Sequence, residues 1–382
     1  MKKNSKEQGF TKKVIFTSCA LFLSCLVTLI LIEATLYFFP VNEGLRATPV
    51  NNDNPIFKFQ ANRKAQYSKH WNFDIRNKVS INNDGFVNDI DYKEGQATPL
   101  LSLIGDSYIE ALMVPYAETI SGVLHRKSKN KRVYSFAASG AGLSQHLIWA
   151  EYAREKFNSE FFIFFIIAND FSEALAKHEK SPGFHRFKRI NDNDWSMVLA
   201  EYNPSLTRKI LRNSKLAMYL ITNVKVHNIM NIDLKLGKND KRESFVSNFS
   251  ANYNEEFWND ATWATRTYLD NVEKYTSAKS RNILFVIDGI RPQLYNGKFE
   301  KSVIESFWYQ MRKYFMQEAA KRNYEVLDMN KLFSEDYNVN KKKFEYKTDA
   351  HWNSYGHFIV AKSITKTKVW NKFLYSNQIE TK

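Results

Sequence analysis

A run of large apolar residues, Phe161 to Ile167, limits the folds open to this chain more than any other segment. A strand with one face in water alternates apolar and polar side chains, whereas this run contains no polar residue. The run is too short to cross a membrane as a helix. It therefore predicts a strand covered on both faces, and such a strand needs helices above and below its sheet.

Strand and helix patterns alternate on both sides of this run. Apolar segments typical of buried strands lie at 100–104, 132–136, 282–287 and 324–327. Helical patterns lie at 117–125, 143–157, 302–322 and 354–367. This alternation predicts a three-layer α/β/α sandwich with a mainly parallel sheet. Because ligands bind to such sheets beyond the carboxyl ends of the strands, the residues after each strand are the candidates for a site.

A long apolar segment near the N-terminus, Val14 to Ile32, predicts a membrane anchor. Lysines precede it, Glu33 interrupts it, and aromatic residues continue its apolar character to Pro40. A helix of this length nearly spans a hydrocarbon core of about 30 Å. No small-residue cleavage site follows, so we expect an uncleaved single-pass anchor rather than a signal peptide. The preceding lysines place the N-terminus in the cytoplasm and the rest of the chain outside a bacterial inner membrane.

The predicted organisation has five parts. They are a cytoplasmic tail (1–13), a transmembrane anchor (14–39), a linker (40–55), a β-rich extension (56–98) and a main α/β domain (99–372) with a helical insertion at about 172–280.

Composition restricts the chemistry that the exported part can perform. Both cysteines, Cys19 and Cys25, lie in the apolar segment, so the remainder has neither a disulfide framework nor a thiolate zinc site. Nucleophilic catalysis there must use a hydroxyl or a carboxylate. The sequence lacks metal-ligand spacing, a P-loop and a dinucleotide fingerprint, so we expect no metal and no cofactor.

The net charge of +15 leaves several partners open. It suits an anionic partner, a negative membrane surface or a solvated basic face. Nucleic acid is not an expected partner, because export removes the usual target and the basic cluster at 126–132 reads as a turn between a helix and a strand.

Polar or small residues follow three of the predicted strands. Ser107 lies in a tight turn after the first, Gly140 in a small-residue loop after the second, and Asn169 directly after the apolar run. A serine in such a turn can present a nucleophilic hydroxyl, and backbone or side-chain amides beside it can stabilise an oxyanion. Each feature taken alone also has a structural explanation, as a helix cap or as close packing of a helix on a strand.

A fourth group precedes the last predicted helix. Asp349 and His351 lie two residues apart in a loop, where a carboxylate can hold the tautomer of an imidazole. His357, inside the following helix, is expected to be structural. Together the four groups supply a nucleophile, a base, an orienting acid and oxyanion donors at one edge of one sheet.

The set and order of these segments resemble the SGNH (GDSL-like) hydrolase superfamily. Gly105-Asp106-Ser107-Tyr108 resembles its first block, Ser139-Gly140 its second, Asn169-Asp170 its third and Asp349-Ala350-His351 its last. The resemblance covers roughly 100–368 apart from the insertion. It implies a flavodoxin-like fold, Ser107 as nucleophile, His351 as base and Asp349 as its orienting acid. It also implies an oxyanion hole formed by the amides of Ser107 and Gly140 and the side chain of Asn169.

Two positions depart from the family pattern. Thr348 occupies the place three residues before the histidine, where esterases commonly have the aspartate, and Ala168 replaces a common glycine. The two-residue spacing is similar to that of relatives that acetylate exported polysaccharides. The resemblance therefore implies a membrane-anchored esterase acting on O-acyl, in particular O-acetyl, esters of cell-envelope glycans. The alternatives are an O-acetyltransferase, an enzyme with an acylated lipid substrate, and a catalytically silent scaffold that binds glycan or an envelope-assembly partner.

Overall fold

The structure is a computed structural model that describes residues 3–191, 194–226, 245–247 and 249–376, with side chains from Phe10 onward. Parts of the predicted tail (1–13) and of the predicted insertion (172–280) lie outside the described residues.

The described residues form helices and strands with the following bounds. The helices are α1 (Lys3–Leu36), α2 (Ser107–Glu110), α3 (Ile120–Lys127), α4 (Leu143–Phe157), α5 (Asp170–Glu173), α6 (Leu206–Leu211), α7 (Lys215–Met218), α8 (Glu255–Thr276), α9 (Lys301–Ile304), α10 (Phe307–Lys321), α11 (Met329–Asn340), α12 (Ser354–Ile364) and α13 (Lys368–Tyr375). A π-helical segment, Tyr219–Val224, continues α7, and short 3₁₀ turns lie at Tyr116–Glu118, Ser280–Asn282 and Gln293–Asn296. The strands are β1 (Arg63–Lys69), β2 (Ile75–Ile81), β3 (Leu100–Gly105), β4 (Arg132–Ala137), β5 (Ser159–Ile166), β6 (His185–Arg189), β7 (Trp195–Leu199), β8 (Phe245–Val246), β9 (Phe249–Ser250), β10 (Ile283–Ile287) and β11 (Glu325–Asp328).

The chain divides into two compact units. Unit 1 comprises Met1–Gly44, Gln66–Arg76 and Ser205–Gly237, and therefore contains α1, α6 and α7. Unit 2 comprises Leu45–Ala65, Asn77–Pro204 and Lys238–Lys382, and contains the main sheet.

The sheet of unit 2 has five parallel strands in the order β4-β3-β5-β10-β11. Numbered along the chain, this order is 2-1-3-4-5, which is that of flavodoxin-like folds. The pairing of β3 with β4 on one side and with β5 on the other creates the point at which the strand order reverses. The predicted three-layer α/β/α fold with a parallel, flavodoxin-like sheet is thus confirmed.

Both faces of the sheet are covered by helices. On one face, strand side chains such as Ile163 and Val286 share an apolar cluster with residues of α3, α11, α12 and α13. On the other face, Phe164 lies 6.0 Å from the ring of Tyr268 in α8, and Phe285 lies 5.3 Å from Phe315 in α10. The side chains from Phe161 to Ile167 are all buried, as the continuous apolar run predicts.

Three elements differ from the sequence prediction. The helix predicted at 302–322 is two helices, because the hydroxyl of Ser306 accepts the N–H of Tyr309 and so starts α10 anew. The insertion predicted to be helical also contains the antiparallel pairs β6–β7 and β8–β9. Basic residues crowd β6 and hide its strand pattern, although Arg186 is buried. The helix α11 was not predicted.

Removal of the ring of Phe164 tests the core of the sheet. Phe164→Ala should lower the free energy of unfolding by about 3–5 kcal/mol, because it leaves a cavity between β5 and α8. Phe358, 45% exposed on α12, provides the matched control, and Phe358→Ala should cost well under half as much. Urea unfolding of the detergent-solubilised full chain measures both, and equal losses would contradict the assignment of Phe164 to the core.

Candidate active site

A sharp turn after β3 presents the hydroxyl of Ser107. Asp106 caps α2, since its Oδ1 accepts the N–H of Tyr108 at 2.9 Å. Ser107 is the first residue of this helix, so its backbone amide is among those left free by the helix start. Gly105 is required because a Cβ there would meet the side chain of Ile109 at 2.6 Å.

His351 lies within hydrogen-bond distance of this serine. Its Nε2 is 2.8 Å from Ser107 Oγ, and its Nδ1 is 2.5 Å from Asp349 Oδ1. The buried Asp349 carboxylate accepts the Nδ1 proton, which leaves Nε2 as an acceptor for the serine hydroxyl. The same carboxylate oxygen accepts the backbone N–H of His351 at 2.9 Å, so the two residues are locked together.

The hydroxyl of Ser107 has a second acceptor within reach. Asp106 Oδ2 lies 3.2 Å from Ser107 Oγ. A hydroxyl has one proton, and the shorter contact is the one to His351. Burial raises the pKa of Asp106, and its second oxygen also faces the amide of Asn169 at 3.4 Å.

A buried ion pair after β10 holds the loop that contains His351. Arg291 pairs with Asp288, the first residue after β10, through two hydrogen bonds. Arg291 also donates to the carbonyl of Ala350 at 3.1 Å, and Asp288 accepts the indole N–H of Trp352 at 2.9 Å. The residues on either side of His351 are therefore fixed to the end of a central strand.

Tyr108 fastens the same loop to the nucleophile turn. Its hydroxyl donates to the carbonyl of Ala350 at 3.1 Å, and its ring centroid lies 4.7 Å from that of His351. Because Tyr108 directly follows Ser107, these two contacts connect the histidine loop to the nucleophile turn.

Asn169 lies at the end of β5 with its amide held by a carboxyl. Its Nδ2 donates to Glu173 Oε2 at 2.8 Å, and the second hydrogen points toward Asp106 Oδ2. Burial, followed by the nearby Asp106, raises the pKa of Glu173 to about 8. Glu173 thus sets the orientation of the amide four residues before it.

Gly140 lies in a loop held by a second buried carboxyl. Its φ of +89° favours glycine, and the preceding Ser139 donates its N–H and its hydroxyl to Glu110. Glu110 is the last residue of α2, so it ties the loop to the helix that Ser107 starts. Burial raises the pKa of Glu110 to about 7.

The structure thus brings together the residues expected from the sequence. Ser107, His351 and Asp349 form one chain of hydrogen bonds, and Asn169 reaches the same aspartate as Ser107. Gly140 is connected to this group through Ser139 and Glu110 rather than by a direct contact.

Four further residues support the site and were missed in the sequence. They are Glu110, Glu173, Asp288 and Arg291. Asp288 follows a predicted strand directly, so the rule that sites lie after strands could have found it. Nothing in the local sequence around Glu110, Glu173 or Arg291 indicates their partners.

His357 has a structural role, as expected. It is buried, its Nδ1 accepts the backbone N–H of Ile120 at 3.3 Å, and burial lowers its pKa to about 3. It therefore stays neutral and links α12 to the start of α3.

An open pocket of about 680 Å³ adjoins the orienting acid. It is lined by Arg291, Pro292, Lys343, Glu345, Tyr346, Lys347, Thr348, Asp349 and Ala350. Arg291 and Glu345 pair with each other, whereas Lys343 and Lys347 are exposed. The two exposed lysines place positive charge at the rim of the pocket. Among the described residues, no cluster of three or more histidine, cysteine or acidic side chains is arranged to hold a metal ion.

Comparison with known proteins gives similarity to solved structures alone. No protein-family model matches the chain, and no curated protein matches it. One similar structure is a member of the lipolytic protein G-D-S-L family from Veillonella parvula, which has 11% sequence identity and a TM-score of 0.35. The alignment covers 70% of this chain and 97% of that protein. A second is the acetyl xylan esterase AlAXEase, which has 10% sequence identity and a TM-score of 0.37. The alignment covers 69% of this chain and 97% of that protein.

A two-domain esterase active on acetylated mannans is a third such structure, with 12% identity, a TM-score of 0.35, and 75% of this chain and 51% of that chain covered. All three are described as lipolytic proteins or esterases. At these TM-scores the alignments carry no argument about chemistry, which rests on the distances between side chains.

The raised pKa of Glu110 predicts a pH-dependent contribution to stability. Glu110 keeps its proton in the folded protein up to a pH of about 7, whereas an unfolded glutamate loses it near 4.5. The folded state therefore binds more protons between these values, so this contribution is complete below pH 4.5 and is lost as the pH rises through 7.

Glu110→Gln should remove this dependence. The unfolding free energy of the wild type, measured relative to this variant, should fall by on the order of 3 kcal/mol between pH 4.5 and 8. Urea titrations at several pH values measure the difference. Glu118→Gln, at an exposed glutamate, is the control and should follow the wild type at every pH. Parallel curves for Glu110→Gln and the wild type would refute the raised pKa.

Proposed function

We propose that this chain is a membrane-anchored serine esterase that hydrolyses O-acyl esters, in particular O-acetyl esters, of cell-envelope glycans. The observation that carries the proposal is the chain of hydrogen bonds from Ser107 through His351 to Asp349, with distances of 2.8 and 2.5 Å. Ser107 is the nucleophile, His351 the general base and Asp349 the acid that orients it.

Acylation begins with attack of Ser107 Oγ on the ester carbonyl carbon. The hydroxyl proton passes to His351 Nε2 as the new C–O bond forms, and the carbonyl oxygen becomes an oxyanion. When the tetrahedral intermediate collapses, the bond to the leaving alcohol breaks and His351 returns the proton to that alcohol. An acyl-serine remains.

Deacylation repeats these steps with water. His351 takes a proton from the water as its oxygen attacks the acyl carbon, and then returns the proton to Ser107 Oγ as the acid leaves. The amides of Ser107 and Gly140 and the side chain of Asn169 are the proposed oxyanion donors. Glu110 supports this role because it holds the Gly140 loop. Glu173 holds one hydrogen of the Asn169 amide at 2.8 Å, and the other, which faces Asp106 over 3.4 Å, is the one that would turn to the oxyanion.

The helix α1 is the proposed membrane anchor. Its segment Phe10–Leu36 is long and apolar enough to cross a membrane and is not buried inside the protein, a test that a signal sequence also passes. The proposed topology places the lysine-rich N-terminus in the cytoplasm and the catalytic domain outside. Such a location favours an envelope glycan as the substrate, and the pocket beside Asp349 offers room for its sugar.

Acyl transfer to a sugar hydroxyl is the alternative outcome of the same acyl-serine. The two-residue spacing between Asp349 and His351 favours acyl transfer, because it resembles the spacing in members of the SGNH superfamily that acetylate polysaccharides. The choice depends on whether water or a sugar hydroxyl reaches the acyl carbon. A silent scaffold is a weaker alternative, since it requires no chain of hydrogen bonds between these three side chains.

Removal of the nucleophile is the direct test. Ser107→Ala in the detergent-solubilised full chain should lower the rate of p-nitrophenyl acetate hydrolysis by about 10⁴-fold or more. Ser302→Ala, at an exposed serine on α9, should leave the rate unchanged. If the folded wild type fails to hydrolyse this ester, transfer of its acetyl group to added oligosaccharides should be measured next. A Ser107→Ala protein that keeps the wild-type hydrolysis or transfer activity would refute the proposal.

Removal of the Asn169 amide tests the oxyanion hole. Asn169→Ala should lower kcat by about 10²–10³-fold, because one donor to the developing negative charge is lost. KM should change much less, since the donor acts chiefly in the transition state. Thermal unfolding of the same protein checks that the fold is retained. Turnover at the wild-type rate would exclude Asn169 from the mechanism.

A further inference from the structure

Glu33, a carboxylate inside the apolar helix α1, is bound by three donors within unit 1. The hydroxyl of Ser214 donates to it at 2.8 Å, and the backbone N–H groups of Lys215 and Leu216 donate at 2.7 and 2.8 Å. These groups form the start of α7. A carboxylate in such a helix needs this many partners because the bilayer supplies none. The segment 214–216 is therefore fixed at the level of the last turn of α1.

One residue of the preceding helix, α6, lies across a depression from α1. Ile210 and Leu216 line an open depression of about 470 Å³ together with Leu29 and Ile30 of α1. At 1.5 Å per residue, Ile30 lies about 9 Å before the end of α1 at Leu36. If α1 crosses a membrane, Ile210 consequently lies at the depth of the crossing segment.

Helix α6 has an apolar edge and a basic side opposite it, with Lys209 and Leu211 at the borders between them. Leu206 and Ile210 are four residues apart and share a side, and they are 76% and 70% exposed. Arg208 lies on the opposite side, and Arg212 just after the helix extends it. Exposed apolar residues with basic residues opposite are typical of helices that lie in the plane of a membrane surface.

Exposed aromatic residues lie on the same unit. Phe38 is 89% and Trp71 70% exposed. Two contacts fix the loop that contains Trp71. The backbone carbonyl of Trp71 accepts a hydrogen bond from the hydroxyl of Tyr219 at 2.9 Å, and the ring of Phe73 packs against the rings of Phe39 and Tyr219. Tryptophan and other aromatic rings are enriched where lipid headgroups meet the hydrocarbon.

We propose that the segments 37–44, 66–76 and 205–226, here termed the collar, bind the lipid surface around the point where α1 leaves the membrane. Leu206 and Ile210 insert among the acyl chains, and the basic side of α6 faces the lipid phosphates. The bilayer is the occupant because α1, which the collar contacts directly, already lies in it. The inference rests on the proposed anchoring by α1 and is independent of the chemistry at Ser107.

Depth-dependent fluorescence quenching tests the collar in the full chain. Single cysteines labelled with an environment-sensitive dye are introduced as Ile210→Cys and, on the basic side, Arg208→Cys, each with Cys19→Ser and Cys25→Ser. The proteins are reconstituted in vesicles of phosphatidylglycerol and phosphatidylethanolamine. The label at 210 should be quenched by nitroxide lipids, and its quenching by aqueous iodide should be about threefold weaker than at 208.

The native Cys25 separates failure of the collar from failure of the anchor. A protein with Cys19→Ser, labelled at Cys25, reports whether α1 lies in the hydrocarbon. Lipid quenching at Cys25 together with equal iodide quenching at 208 and 210 would overturn the collar and keep the anchor. Absence of lipid quenching at Cys25 would overturn both. Leu206→Cys, on the same side as Ile210, repeats the test should the label at 210 disturb the fold, which circular dichroism monitors.

Discussion

The segment from Phe161 to Ile166 of β5 is apolar and buried on both faces, so the polar side chains nearest to it lie beyond its ends. Its side chains are at most 2% exposed, and helices cover both faces of the sheet. The first polar groups after it are Asn169 and Asp170, and both lie at the carboxyl edge. The same holds for β3, which Asp106 and Ser107 follow, and for β10, which Asp288 follows. Burial of the sheet thus concentrates the polar chemistry of unit 2 at one edge.

This concentration brings several carboxyl groups into a small, buried volume. Burial raises the pKa of Asp106, Glu110 and Glu173, so ionising all of them together is costly. Hydrogen-bond donors offset this cost for each carboxyl: Asp106 accepts from Tyr108 and Asn169, Glu110 from Ser139, and Glu173 from Asn169. The hydrogen bonds that stabilise these carboxyls are also the contacts that position the proposed oxyanion donors.

The fold and the central residues were predictable for a definite reason. Apolar strands and tight turns are local patterns, and the flavodoxin-like strand order joins residues at the ends of strands that are far apart in sequence. Ser107 and Asn169 follow strands, so the strand order places them at one edge, whereas the approach of His351, which lies beyond α11, depends on how its loop packs. The partners of Glu110, Glu173 and Arg291 depend on how helices pack against loops, and no local pattern encodes that packing.

The secondary structure that was not predicted likewise depends on single side chains rather than on the local pattern. The break between α9 and α10 depends on one hydroxyl, that of Ser306, in an otherwise continuous helical pattern. The strand β6 carries basic residues on both sides, so its alternation is invisible without knowledge that Arg186 is buried.

The bonds of Glu33 have a consequence for how the chain is made. Glu33 precedes Ser214 by 181 residues, so during synthesis its carboxylate is present long before the donors that later bind it. In a chain that inserts as it is translated, an unpaired carboxylate stays near the aqueous boundary rather than entering the hydrocarbon. If α1 is the proposed anchor, its final seating therefore waits until residues 214–216 are exported and folded, so that insertion is completed from outside by a segment synthesised late.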